Sequence, residues 1–93
     1  MATARAAVAQ AEGAGAMQSA PVELQSARDK MVKAEVAART EKYAEARRLA
    51  ADAEVEAQIA ERKTRAVKAQ KAVDEMQRSN DLLRTELERK RQP

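Results

Sequence analysis

The chain has no histidine, no cysteine, no phenylalanine and no tryptophan, and only one tyrosine among its 93 residues. Without histidine it lacks the commonest general base and metal ligand, and without cysteine it has no thiol nucleophile, disulfide or zinc–thiolate site. Leucine, isoleucine and valine together number only 13, so a core of large interlocking side chains cannot form. We therefore predict a protein that is not an enzyme and that binds no cofactor and no metal.

Glycine and proline are equally scarce, with two residues of each, so little interrupts regular structure. Alanine, glutamate, lysine, leucine and arginine supply 57 of the 93 residues, a composition typical of long helices and coiled coils. The 18 basic residues nearly balance the 15 acidic ones, which disfavours a disordered polyelectrolyte. The composition predicts an all-α protein, and no run of apolar residues is long enough to span a membrane.

Apolar residues recur at helical spacing in three segments, which predict helices at about 3–13, 20–39 and 42–90. Gly13 and Gly15 are expected to end the first helix, Ser19 to cap the second, and Pro21 to lie in its first turn. The stripe that ends at Ala38 is out of phase with the one that starts at Tyr43, so a turn is expected at 39–42. The second and third helices then form an antiparallel hairpin.

The third helix is too long for its partners. We predict a small three-helix bundle in residues 1–64, where the third helix spans 42–64, followed by a coiled-coil-like continuation in 65–93. The first helix is expected to pack on the side of the third helix that carries Leu49, Val55 and Ile59, with the chain running up, down and up. The alternative is a simple Ala-rich hairpin that carries the same projecting helix.

Two sets of residues on the third helix are candidate binding sites. The first follows a heptad pattern, in which an Asn at an a position can select a parallel dimer; its members are Ala66, Ala69, Val73, Met76, Asn80, Leu83 and Leu87. The second is a run of cations without an acid, which could bind phosphate or another anion; its members are Arg62, Lys63, Arg65, Lys68 and Lys71. No aromatic residue accompanies the cations, so we do not expect specific nucleic-acid binding.

The order of these features resembles a bacterial family defined as a domain of unknown function. The resemblance spans about residues 4–77 and depends most on Ala-Pro-Val-Glu-Leu at 20–24 and Tyr-Ala-Glu-Ala-Arg-Arg-Leu-Ala at 43–50. It implies a periplasmic or outer-membrane-associated protein, because members of that family are mostly envelope proteins, often lipoproteins, and often precede an OmpA-like peptidoglycan-binding domain. The chain has no lipid-attachment cysteine and no secretion signal, so it is expected to be a mature or excised fragment.

Two functions are consistent with these features. The first is a non-catalytic spacer and oligomerisation module of an envelope protein, which forms a homodimer through the C-terminal helix. Its further partner would be another envelope protein or a peptidoglycan-binding domain. The second is a tetratricopeptide-like hairpin that binds a peptide or protein, because the segment at 43–50 also resembles a helix of such repeats.

Overall fold

The computed structural model describes residues 1–92 and shows helices joined by short connections. Helix α1 spans Ala2–Ala14, the single turn α2 spans Ala16–Ser19, α3 spans Pro21–Arg39 and α4 spans Tyr43–Arg91. The described residues contain no strand, so the all-α prediction is confirmed. The molecule is a rod that measures 81 × 16 × 15 Å, because α4 alone has 49 residues.

Gly15 ends α1 by adopting a left-handed conformation, with φ 101° and ψ 25°. Its backbone N–H donates to the carbonyl oxygens of Ala11 and Glu12, which satisfies acceptors at the helix end. A residue with a Cβ is strained at this φ, so glycine is the residue that fits here. The predicted stop is therefore made by Gly15, while Gly13 lies inside the helix.

The start of α3 differs from the prediction in one detail. Pro21 occupies the first helical turn as expected, since its missing N–H would have no partner there. The N-cap, however, is Ala20, and Ser19 is the last residue of α2, so the predicted Ser19 cap is wrong. The four residues of α2 add one extra helical turn, which shifts the cap position by one residue.

The turn between α3 and α4 covers residues 40–42 and agrees with the predicted position. The Thr40 hydroxyl donates to the carbonyl oxygens of Val36 and Ala37 at 3.1 and 3.2 Å, and Glu41 adopts a positive φ of 62°. These local bonds satisfy the last acceptors of α3, so the chain reverses without a glycine or proline.

Helices α1 and α4 run in the same direction, and α3 runs antiparallel to both. Ion pairs across the helices reflect this arrangement, because Arg5 near the start of α1 meets Glu35 near the end of α3, and Glu12 meets Arg28. Likewise Glu23 at the start of α3 pairs with Lys63, well along α4. The predicted order of up, down and up is what the structure has.

The core between these helices is made almost entirely of alanine. Leu24, Met31 and Val8 are its only large members. Alanine side chains let helix axes approach closely, and the packing energy comes from many weak contacts along the length. The alanines of the core are Ala4, Ala11, Ala16, Ala20, Ala27, Ala34, Ala50, Ala53, Ala57 and Ala60.

Candidate interaction surface

The residues that α4 buries form one stripe along its first half. They are spaced alternately by four and three residues, which keeps them on one face of the helix. We call this set the core stripe; its members are Ala46, Ala50, Ala53, Ala57, Ala60 and Thr64. Helices α3 and α1 both pack against it, α3 more extensively.

The core stripe ends at Thr64, which is completely buried. Its hydroxyl donates to the Ala60 carbonyl oxygen at 2.7 Å, so the buried oxygen has a partner. The next position at the same spacing, Val67, is 44% exposed, and every residue from 65 to 92 is exposed. We call residues 65–91 of α4 the projecting segment.

Two details of the predicted packing are wrong. Val55 and Ile59 do not receive α1, because they are 53% and 47% exposed on the side of α4 that faces away from the core stripe; only Leu49 is partly buried. Helix α1 instead shares the alanine face with α3, since small residues there leave room for both helices. At the turn, Ala37 is buried and Ala38 is only half-buried, so Ala37 closes the stripe of α3.

The one ion pair that is substantially enclosed joins Lys30 of α3 to Glu56 of α4, whose side chains are 32% and 25% exposed. The hydrogen bond to Glu56 raises the pKa of Lys30 despite partial desolvation. Burial works to raise the pKa of Glu56, but hydrogen bonds from Lys30 and Ser26 together with the Lys30 charge hold that pKa below its ordinary value. The second carboxylate oxygen of Glu56, Oε2, is enclosed and makes no hydrogen bond of normal geometry.

The sequence pattern does not predict the ion pairs between helices, because it suggests only pairs four residues apart on one helix. Among the acids with a base four residues later, Glu61 does pair with Arg65. Glu35 pairs with Arg5 of another helix and not with Arg39, and Glu86 pairs with Arg89 and not with Lys90. Pairs between helices depend on which faces meet, and only the folded arrangement determines that. The structure, and not the sequence pattern, therefore identifies which exposed charges pair with each other.

The five cations proposed as an anion site lie on α4 around the end of the core stripe. Lys63 pairs with Glu23, and Arg65 pairs with Glu61. The Lys68 ammonium donates to the Ala14 carbonyl oxygen at the end of α1, where a cation is favoured by the helix dipole. Arg62 and Lys71 are exposed and form no ion pair with any residue between 1 and 92. Three of the five cations thus have partners inside the bundle, and two face solvent.

The seven residues of the predicted oligomer interface all lie on the projecting segment, and all are exposed. We call this set the outer stripe. The exposed fractions of its larger members are 46% for Val73, 66% for Met76, 61% for Leu83 and 57% for Leu87. No part of residues 1–92 packs on them, so the apolar side chains of this stripe face water in a single copy.

Within residues 1–92 no group of three or more acidic side chains is placed to hold a metal ion. The concavities are shallow surface depressions; the one between Met1, Tyr43 and Ala50 lies at the end of the bundle. None of the helices in the described region has the length and apolar character to cross a membrane.

Fold and surface together define an alanine-rich helical bundle with one projecting helix. The chain belongs to the family described as a domain of unknown function, DUF4398, which it matches over residues 1–76. This confirms the predicted membership of a family of that kind. The matched region covers the whole bundle and the first part of the projecting segment. No curated protein and no solved structure matches the chain.

Proposed function

We propose that the chain is a non-catalytic structural and interaction module of a bacterial cell-envelope protein. The bundle forms a compact head, and the projecting segment acts as a spacer that pairs with the same segment of a second copy. The observation that carries this proposal is the outer stripe, because four large apolar side chains follow a heptad pattern on a segment that no other part of residues 1–92 covers.

The pattern also fits pairing between identical helices. Asn80 lies at an a position of the heptad, where two facing amides can hydrogen-bond and favour a dimer in register. Most helical stability in proteins comes from tertiary packing, which the exposed residues 65–91 lack in a single copy, so a partner would stabilise the segment as well as cover it. These features support a dimer over a single protruding helix.

The tetratricopeptide-like alternative receives less support. A repeat hairpin binds its ligand in a groove lined by adjacent helices, and stable arrays need several such hairpins. Here α1 contacts both α3 and α4 and covers the hairpin on the side where their alanines meet. That side of the hairpin is therefore occupied by α1, whereas the projecting segment is open to a partner.

Sedimentation equilibrium of the unmodified chain tests the dimer. We expect a monomer–dimer equilibrium, which Leu83→Asp shifts to monomer because the substitution places a charge at a d position. Leu82→Asp is the matched control, since Leu82 is equally exposed at 68% but lies off the stripe, and it should dimerise normally. A monomeric unmodified chain at high micromolar concentration would refute the oligomerisation role.

The envelope location is tested separately. We expect fractionation of cells that make the full-length gene product to place it in the periplasm or outer membrane. The implied partner is another envelope protein or a peptidoglycan-binding domain of the same polypeptide. A full-length product found only in the cytoplasm would remove this part of the proposal and leave the helical spacer.

A further inference from the structure

The outer stripe does not begin at residue 66. Counting backward at the same alternating spacing of three and four leads to Arg62, Ile59 and Val55. Val55 and Ile59 are 53% and 47% exposed, although they lie within the part of α4 that forms the bundle. The apolar residues therefore continue from the projecting segment onto the back of the bundle. We call the outer stripe together with Arg62, Ile59 and Val55 the outer line.

Two stripes therefore run along the same part of α4, on opposite sides of the helix. Each core-stripe residue from Ala53 to Thr64 is followed two positions later by a residue of the outer line, which places the two about 200° apart around the helix axis. Helices α1 and α3 both pack on the core stripe, so neither obstructs the opposite side. A second α4 can lie along that side from residue 55 to residue 87, a length of roughly 48 Å.

We propose that the occupant of this side is a second copy of the chain, aligned parallel and in register, with the dimer interface extending along the back of the bundle to Val55. The inference rests on the proposed oligomerisation function and adds its orientation and extent. Upstream of Val55 the same spacing reaches Asp52 and Arg48, both charged, so the interface ends there.

The charges that flank the line are compatible with the parallel arrangement, and Asn80 within the line favours it. In a parallel dimer each g residue faces the e residue five positions later in the partner. Glu86 then meets Arg91 of the other copy, and none of the other g–e pairs joins like charges. An antiparallel dimer separates the two Asn80 amides, because the alignment that pairs Val55 with Leu87 sets Asn80 opposite Arg62.

Arg62 is the one charged residue inside the line, at a d position. Two copies would place their Arg62 side chains against each other, where the aliphatic stems can pack and the guanidinium groups must turn outward to water. This contact opposes association. Arg62→Leu should therefore tighten the dimer by roughly tenfold or more, because it completes an apolar core from Ile59 to Val73.

Single-cysteine cross-linking tests the orientation and extent, since the chain contains no cysteine of its own. Val55→Cys and Leu83→Cys both place a thiol at a d position, where parallel, in-register helices bring the two thiols close enough for a disulfide under mild oxidation. Val32→Cys is the matched control, because Val32 is 57% exposed on α3 and faces away from the outer line. We expect rapid dimer formation for the first two variants and none for the third.

The alternatives give distinct results. Rapid cross-linking at Leu83→Cys but not at Val55→Cys would overturn the extension onto the bundle and leave dimerisation through the projecting segment intact. A dimer in sedimentation equilibrium that cross-links at neither position would overturn the parallel arrangement. A monomer in sedimentation equilibrium would overturn the oligomerisation proposal itself. Circular dichroism of each variant verifies that the helices are retained.

Discussion

The two halves of α4 differ both in their alanine content and in their surroundings. From Tyr43 to Thr64 the helix is packed by α1 and α3 through small residues, whereas from residue 65 to 91 all of its side chains are exposed. The packed half buries alanine and leaves Val55 and Ile59 outside; the projecting half carries larger apolar residues and buries none of them.

This difference shows that apolar size does not decide what is buried here. Alanine is buried because close helix approach needs small side chains, and the larger Val55 and Ile59 lie on the side of α4 away from α1 and α3. Within one copy the first half is stabilised by tertiary packing, while the second depends mainly on helix propensity and local ion pairs, with one hydrogen bond from Lys68 to α1. Placing the same kind of substitution in both halves therefore tests the comparison directly.

The largest effect is expected from enlarging an alanine in each half. Ala57 is completely buried, so Ala57→Leu should overfill the interface and lower the free energy of unfolding by ~1 to 3 kcal/mol. Ala69→Leu adds the same atoms at an exposed position of the outer stripe and should leave the bundle as stable as before. Chemical denaturation at low protein concentration measures both. Equal destabilisation by the two substitutions would contradict the division of α4.

At Ala50, which borders the open depression beside Met1 and Tyr43, a leucine should cost less than at Ala57. The added side chain can extend into that space. A larger loss at Ala50 than at Ala57 would show that the end of the bundle is packed more tightly than its middle.

The end of α1 provides the next contrast. Gly15 has φ 101°, so Gly15→Ala should destabilise the bundle by ~1 kcal/mol and weaken the packing of α1 on α4. Gly13→Ala should instead stabilise it by ~0.5 to 1 kcal/mol, because Gly13 lies inside the helix and an added Cβ would meet no atom within 4 Å. Thermal unfolding of both variants measures the effect, and the same sign for the two would contradict the assigned helix end.

The sequence was sufficient to predict α1, α3 and α4, the turn at 40–42 and the break at Gly15, because these depend on local periodicity and backbone preference, but it did not indicate the single turn α2. It did not determine which face of α4 receives α1. Leu49, Val55 and Ile59 were a reasonable expectation, since large apolar residues are usually buried. The alanine face accommodates two helices at once, and that depends on how closely their axes approach, which a single sequence does not specify.

The candidate interface was likewise predictable only where it depends on a local pattern. The heptad from Ala66 to Leu87 is a local pattern and could be recognised from spacing alone. Its continuation through Ile59 and Val55 could not, because the same residues were equally compatible with contacts to α1. Only the observed exposure of those two side chains assigns them to the outer line.

Acid should act on the packed half through Glu56. The pKa of this carboxyl is lower in the folded protein than its ordinary value of 4.5, so its contribution to stability is complete above that pH and is lost as the pH falls through the lowered pKa. Glu56→Gln should therefore lower the melting temperature at neutral pH by a few degrees, and the gap should close in acid. Glu75→Gln, on the projecting segment, is the control and should show no such gap. A gap for Glu56→Gln that persists undiminished below the lowered pKa would contradict the role of the Lys30 ion pair.

The smallest effect is expected from salt on the association of two copies. A parallel dimer brings together the cations from Arg62 to Lys71 of both chains, of which Arg62 and Lys71 have no internal ion pair in the described residues. Raising the ionic strength from about 0.01 M to about 0.15 M shortens the Debye length from roughly 30 Å to roughly 8 Å, which weakens this repulsion. The dimer dissociation constant should therefore fall a few-fold, and Arg62→Leu should reduce the response because it removes the closest pair of charges.

Binding of these cations to an anionic partner predicts the opposite trend. The affinity for that partner should fall steeply as salt is added, and charge reversal at Lys63, Lys68 and Lys71 should abolish the binding. Sedimentation equilibrium across this range distinguishes the two, and dimer dissociation that increases with salt would contradict the parallel placement of the cations.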